Sequence, residues 1–234
     1  GVDLVDDMLF FTDNLNPPRK INVSKAYPVG GALTDTDPYT AEEFLVIKRP
    51  PINSPSIQPL ETGSQNNFLD DRFISFAYRY RYEDGEYSAT SQFSAPSFIP
   101  KRFRFTTDAF LNEGMTNLTN ACIITYNTGS SLVKEVELLF KDMNSGVIKV
   151  IEKLNKEDLG LVDNDEQTFT FSNSKIFTVL PDSEILRLYD NVPRSAQAQT
   201  IMGNRLVYGN YVEGYNLTDS NGNPKNMFNT GGLM

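Results

Sequence analysis

The sequence predicts an all-β protein, and three observations carry that prediction. The first lies in residues 73–93 (FISFAYRYRYEDGEYSATSQF), where Phe76, Tyr78, Tyr80 and Tyr82 alternate with Ala77, Arg79 and Arg81. Period two is the mark of a strand with one aromatic and one polar face. Asp84-Gly85 then supplies the residue types of a tight type I′ turn, which sets Tyr82 opposite Tyr87 and Arg81 opposite Ser88. Second, residues 121–126 (ACIITY), 133–140 and 146–151 read as strands. In 133–140, Val136, Leu138 and Phe140 share one face while Glu135, Glu137 and Leu139 share the other. Third, helix signals are few and short. Thr40 and Glu43 form a capping box for a helix ending near Lys48, before Pro50-Pro51. Residues 156–159 and 183–189 offer one or two turns more.

Residues 8–12 (MLFFT) read as a buried strand, 13–18 (DNLNPP) as a turn, and 19–23 (RKINV) as the return strand. A longer loop follows to Tyr39. Residues 49–59 hold Pro50, Pro51, Pro55 and Pro59, the composition of an extended, semi-rigid connector. After the hairpin, 94–100 reads as loop or edge strand because of Pro96 and Pro100, and 102–106 as a short strand. Residues 127–131 form a turn and 141–145 the loop of a hairpin. Residues 155–165 form an acidic loop, and 167–171 (QTFTF) a strand. Residues 196–202 and 205–211 pair around Gly203-Asn204. The Asn- and Gly-rich tail from Asp219 has little to bury and is expected to order only against a partner.

Residues 8–13 and 205–210 echo one another: an apolar strand, an aromatic, then a turn residue and a return strand. Two such units flanking a different β module predict parts of a β-propeller interrupted by an insertion.

Composition narrows the function. The chain has 234 residues and a net charge of −9, from 21 basic and 30 acidic residues. Such a balance disfavours wrapping duplex DNA, where phosphate neutralisation dominates affinity, but suits a wall past which DNA slides. Histidine is absent, which rules out Ser-His-Asp and Cys-His catalysis within this chain. Cys122 is the single cysteine, so no intrachain disulfide forms. Its apolar neighbours read it as a buried structural thiol. No apolar run reaches the length of a membrane helix. No leader is visible, and the start at Gly-Val-Asp reads as that of a processed or excised fragment.

Five segments in order carry a likeness: 9–22 (LFFTDNLNPPRKIN), 45–51 (LVIKRPP), 76–94 (FAYRYRYEDGEYSATSQFS), 121–141 with NTGSSLVKEVELLFK at its heart, and 190–211 (DNVPRSAQAQTIMGNRLVYGNY). With these the chain resembles the tail nozzle or muzzle (tail stabilisation) proteins of short-tailed bacteriophages, most closely those of crAss-like phages. The resemblance implies a structural virion protein at the distal end of the tail. It implies a homo-oligomeric ring, usually a hexamer, around the DNA exit channel. Other tail proteins, adaptor or ring proteins and tail fibres, are its neighbours, and genomic DNA passes without tight binding. It also implies a fibronectin type III- or immunoglobulin-like β-sandwich inserted into part of a β-propeller. On that reading residues 1–66 and 181–234 are propeller portions and 67–180 the sandwich. No cofactor, metal or catalysis is expected. The alternative is a carbohydrate- or receptor-binding β-sandwich of a phage tail, using exposed tyrosines.

The candidate subunit contacts are cationic: Arg79 and Arg81 on the non-aromatic face of the hairpin, with Lys101, Arg102 and Arg104 close in sequence. The competing reading pairs them across strands with acids. The acidic pairs Asp6-Asp7, Glu42-Glu43, Asp70-Asp71, Asp35/Asp37 and Asp163/Asp165 read as solvated loop residues, because neighbours on a strand point opposite ways and adjacency makes no glycosidase pair. Asp163-Asn164-Asp165 lacks the glycine and distant glutamate of a calcium loop. The sequons at Asn22, Asn117 and Asn216 read as chance matches.

Overall fold

The computed structural model describes residues 1–24, 41–63, 67, 69, 72–102, 113–143, 145, 147–172, 177–181, 184, 190–203 and 205–213. Among them strand takes 48% and helix 6%, so the protein is all-β, built of several antiparallel sheets. The chain divides into two compact units. One is Gly1–Arg49 together with Asp190–Met234, and the other is Pro50–Tyr189.

In the first unit, β1 (Val2–Val5), β2 (Met8–Phe11) and β3 (Arg19–Asn22) form an antiparallel sheet in that order. Asp6 at φ 49° turns β1 into β2. The 13–18 turn is tied by Asp13, whose carboxylate accepts from the Leu15 amide (2.9 Å) and the Asn16 amide (2.7 Å). These bonds, aided by the Asn16 side chain, hold its pKa down to about 2. The expected helix is a single 3₁₀ turn, Ala41–Phe44, after which Leu45 bridges Arg19 and the Val46 amide donates to the Pro18 carbonyl at 3.1 Å. Pairing with the start of β3 takes the backbone that a longer helix needs. Thr40 lies outside the described residues.

The chain's other end meets its beginning. The hairpin of β11 (Ser195–Met202) and β12 (Arg205–Val212), numbered after the strands of the second unit, sits beside β1. The Asn14 amide donates to the Ala196 carbonyl at 3.0 Å, and the Thr12 hydroxyl donates to the same oxygen. Gln199 Nε2 donates to Asp3 at 3.2 Å. Apolar side chains remain open here: Val2, Leu4, Met202 and Val212 are exposed.

Among the described residues the second unit has two sheets. β4 (Ser56–Leu60), β6 (Ala121–Asn127) and β9 (Glu166–Phe171) run in the order β4-β6-β9. β5 (Ile74–Tyr82), β7 (Val133–Asp142), β8 (Ile148–Asn155) and β10 (Thr178–Val179) run in the order β10-β8-β7-β5. Both contribute to one core. Phe76, Tyr78, Tyr80 and Tyr82 of β5, with Val136, Leu138 and Phe140 of β7, meet Cys122, Ile124 and Tyr126 of β6 and Phe171 of β9. The Phe76 and Phe171 rings lie edge to face, 5.2 Å apart, a favoured aromatic geometry.

Two sequence expectations change. Part of the 49–59 connector is strand: β4 pairs Ser56 with Thr125 and Leu60 with Ala121. Pro59 is tolerated because β4 is an edge strand of its sheet. The turn after β5 is longer than type I′. The Gly85 amide donates to the Tyr82 carbonyl, the Tyr82 amide to the Glu86 carbonyl (both 2.9 Å), and only Gly85 of the pair has positive φ (80°). That is a three-residue loop with a glycine bulge. It shifts the partner strand by one, so Arg81 bridges Tyr87 instead of Ser88.

Past that bridge the segment is no ordinary strand. Ser88, Ser91, Ser94 and Ser97 donate their amides to the carbonyls of Tyr80, Tyr78, Phe76 and Ile74, at 2.8–2.9 Å. In return the Tyr80, Tyr78 and Phe76 amides donate to the hydroxyls of Ser88, Ser91 and Ser94, at 3.0–3.1 Å. Each two-residue step of β5, about 6.7 Å, is matched by three residues at roughly 2.2 Å each, so the segment is contracted well below a strand. A serine every third residue supplies the side-chain acceptor that the contracted backbone cannot. Pro96 falls where no amide is needed.

Helix α1 (Lys156–Leu159) forms as expected, capped by Asn155 and ended by Gly160 at φ 62°. The stretches around Arg104, Ser183 and Asp219 lie outside the described residues, apart from Glu184.

Candidate subunit-contact residues and the buried charge cluster

Antiparallel register sets the non-aromatic face of β5 against that of β7: Ala77 opposite Leu139, Arg79 opposite Glu137, Arg81 opposite Glu135. Arg79 is buried. Its Nε donates to Glu137, its Nη1 pairs with Glu184, and its guanidinium stacks on the Tyr87 ring, 4.1 Å from the centroid. Glu137, 1% exposed, is held on its other oxygen by Lys153 Nζ at 3.3 Å. Burial pulls the Lys153 ammonium down, and the charge of Glu137 with a bond to Tyr87 more than offsets it, leaving its pKa raised. Two cations and two carboxylates therefore balance within the fold.

The five candidate contact residues do not form one strip. Arg79 is interior. Arg81 is half exposed, with Nη1 3.8 Å from Glu135. Lys101 and Arg102 are exposed, just past the bridge from Pro100 to Asn117. Arg104 lies outside the described residues. The cross-strand acids were legible in the alternation of β7; Lys153 could be placed only once β8 was in register. Glu184 left no signal, because it arrives from a segment distant in sequence.

Asp163 and Asp165 have structural partners. Asp163 accepts from Lys156 Nζ at 2.5 Å, and the same ammonium donates to the carbonyls of Gly129 (3.3 Å) and Ser130 (2.9 Å). A lysine thus occupies the place of a cation in the loop weighed for calcium. Asp165 accepts from Gln167 at 2.8 Å. Among the described residues no group of three His, Cys, Asp or Glu is placed to hold a metal. Asp35, Asp37, Asp70 and Asp71 lie outside them.

Cys122 is fully buried with Sγ 2.8 Å from Ser97 Oγ, and burial pushes its thiol pKa up. A protonated, enclosed thiol is a structural one. Asn117 is a buried peg whose amide donates to the Arg72 and Ser97 carbonyls (3.2 and 3.1 Å) and accepts from the Ile99 and Thr119 amides. That enclosure is incompatible with its sequon being used. No helix among the described residues is long and apolar enough to cross a membrane.

No protein-family model matches this chain, and no curated protein matches it.

Proposed function

We propose that this chain is a structural virion protein: a subunit of the nozzle or muzzle ring at the distal tail end of a short-tailed bacteriophage, around the DNA exit channel. The observation that carries the reading is the division of the chain. One unit is made from both ends, joined where β1 meets β11, and a different β unit, Pro50–Tyr189, stands between them in sequence. That is the organisation expected of a propeller portion with an inserted sandwich. The five ordered segments supply the family, and the net charge of −9 suits a channel wall that repels phosphate.

The finer fold belongs to the same proposal. Pro50–Tyr189, with two antiparallel sheets around one aromatic core, is read as the fibronectin type III- or immunoglobulin-like sandwich. The apolar residues left open on β1, β11 and β12 support a propeller portion completed by further strands. The partners are further copies in a ring, hexameric on the family pattern, with adjacent adaptor and fibre proteins. No catalysis is assigned.

Cryo-electron microscopy of virions tests this: density for the chain is expected at the tail tip, and density elsewhere in the particle overturns it. The sugar-binding alternative needs exposed rings, whereas Tyr78, Tyr80, Tyr82 and Tyr126 are spent in the core. A glycan array is therefore expected to be blank.

A further inference from the structure

Past β8 the chain adds the short edge strand β10 and places Leu180 and Glu184 on the outer face of the four-stranded sheet. Thr178 and Val179 pair with Val150 and Lys149 on β8. The Leu180 amide donates to the Ile148 carbonyl at 2.9 Å. The Leu180 side chain is buried against Ile148, Leu139 and Ala77, one residue each from β8, β7 and β5. Glu184 then reaches Arg79 on β5. We propose that Thr178–Leu180 and Glu184 act as a releasable strap. Leu180 is its apolar plug and the Glu184–Arg79 pair its ionic clasp, and opening it uncovers Ala77, Leu139 and Ile148.

Three features make this strap releasable where the sheet beneath it is permanent. Its strand pairing is two residues long, and both residues are exposed. Segments with so few buried contacts open locally at low free energy. The clasp is also asymmetric. Glu137, 1% exposed, stays on Arg79 when Glu184, 38% exposed, departs. Opening therefore leaves no buried charge alone, which is the penalty that makes most buried pairs hard to break. Finally, the Glu184 side chain is 38% exposed around an enclosed pairing oxygen, so salt screens the carboxylate once the pair opens and favours the open state.

Amide hydrogen exchange on the full chain tests this, with the Leu180 amide as probe and the β7 amides as reference. The Leu180 amide is expected to exchange faster than β7. Raising salt from about 20 mM to about 0.5 M should speed it roughly two- to five-fold while β7 holds constant. Glu184→Gln should reproduce that acceleration at low salt and abolish the salt response. A Leu180 amide that exchanges only in step with β7 overturns the strap. So does a Glu184→Gln chain with unchanged Leu180 exchange, or one in which β7 accelerates equally. The salt arm needs no variant, so it stands even if the substituted chain folds poorly.

Discussion

Arg79 and Glu137 face each other across β5 and β7, ion-paired in the interior with Glu137 all but sealed from solvent. Two positions along the same strands, Arg81 and Glu135 pair at 3.8 Å with the arginine half exposed. One register thus produces two pairs of opposite energetic character.

Removing Glu137 takes a carboxylate from two cations at once, leaving the buried Arg79 with only the part-exposed Glu184 and Lys153 without its ion-pair partner. Glu137→Ala is expected to destabilise the protein by about 3–5 kcal/mol, whereas Glu135→Ala should cost under about 1 kcal/mol. Urea titration of both variants, followed by far-ultraviolet circular dichroism, checks the contrast; equal losses would contradict it.

The serine ladder makes a separate prediction. In Ser91→Ala the buried Tyr78 amide loses its hydroxyl acceptor, at a cost of about 1–3 kcal/mol. Ser91→Thr keeps the oxygen and should recover part of the loss. Thermal melts of the two variants give the comparison, and an alanine variant as stable as the parent counts against the ladder.

Gly129 sits at φ 72°, and a Cβ there would lie 2.9 Å from both the Tyr80 ring and Val133 Cγ2. Gly129→Ala combines left-handed strain with overpacking and is expected to cost about 1–3 kcal/mol. A denaturant midpoint that does not move would show that the loop rearranges freely.

Asp13 has a folded pKa of about 2 against an ordinary 3.8, lowered chiefly by the Asn16 amide. A depressed carboxylate contributes stability in full above its unfolded pKa and loses it as pH falls through the folded one. The contribution of the 13–18 turn should therefore fade between about pH 4 and pH 2. Asp13→Ala should flatten that part of the stability profile, and an unchanged acid limb in the variant would refute the assignment.

Cutting the chain tests where the second unit ends. A fragment of residues 50–189 retains β4 and Glu184, which a fragment of 67–180 lacks. Both should show β structure by circular dichroism, with the shorter one melting at lower temperature. A 67–180 fragment of equal stability would mean that β4 contributes nothing.

Local pattern in the sequence determined much of this protein. The alternation from Phe76 to Tyr82 and from Val133 to Phe140 names the strands, because period two has one structural meaning. Asn155 and Gly160 mark the ends of α1, because caps are local chemistry. Those same patterns put Arg79 and Glu137 on the non-aromatic faces of their strands. Tertiary structure alone decided that this face would be covered. A strand's alternation records which side chains point together, not what later crosses over them, and Leu180 and Glu184 come from about a hundred residues further along. The serine ladder lay between the two. Its period of three was visible in the sequence, but a helix, a strand and a contracted edge segment differ in rise, and only pairing with β5 fixes that. The arginine that reads as a surface residue is interior for the same reason: burial is a property of the partner, not of the residue.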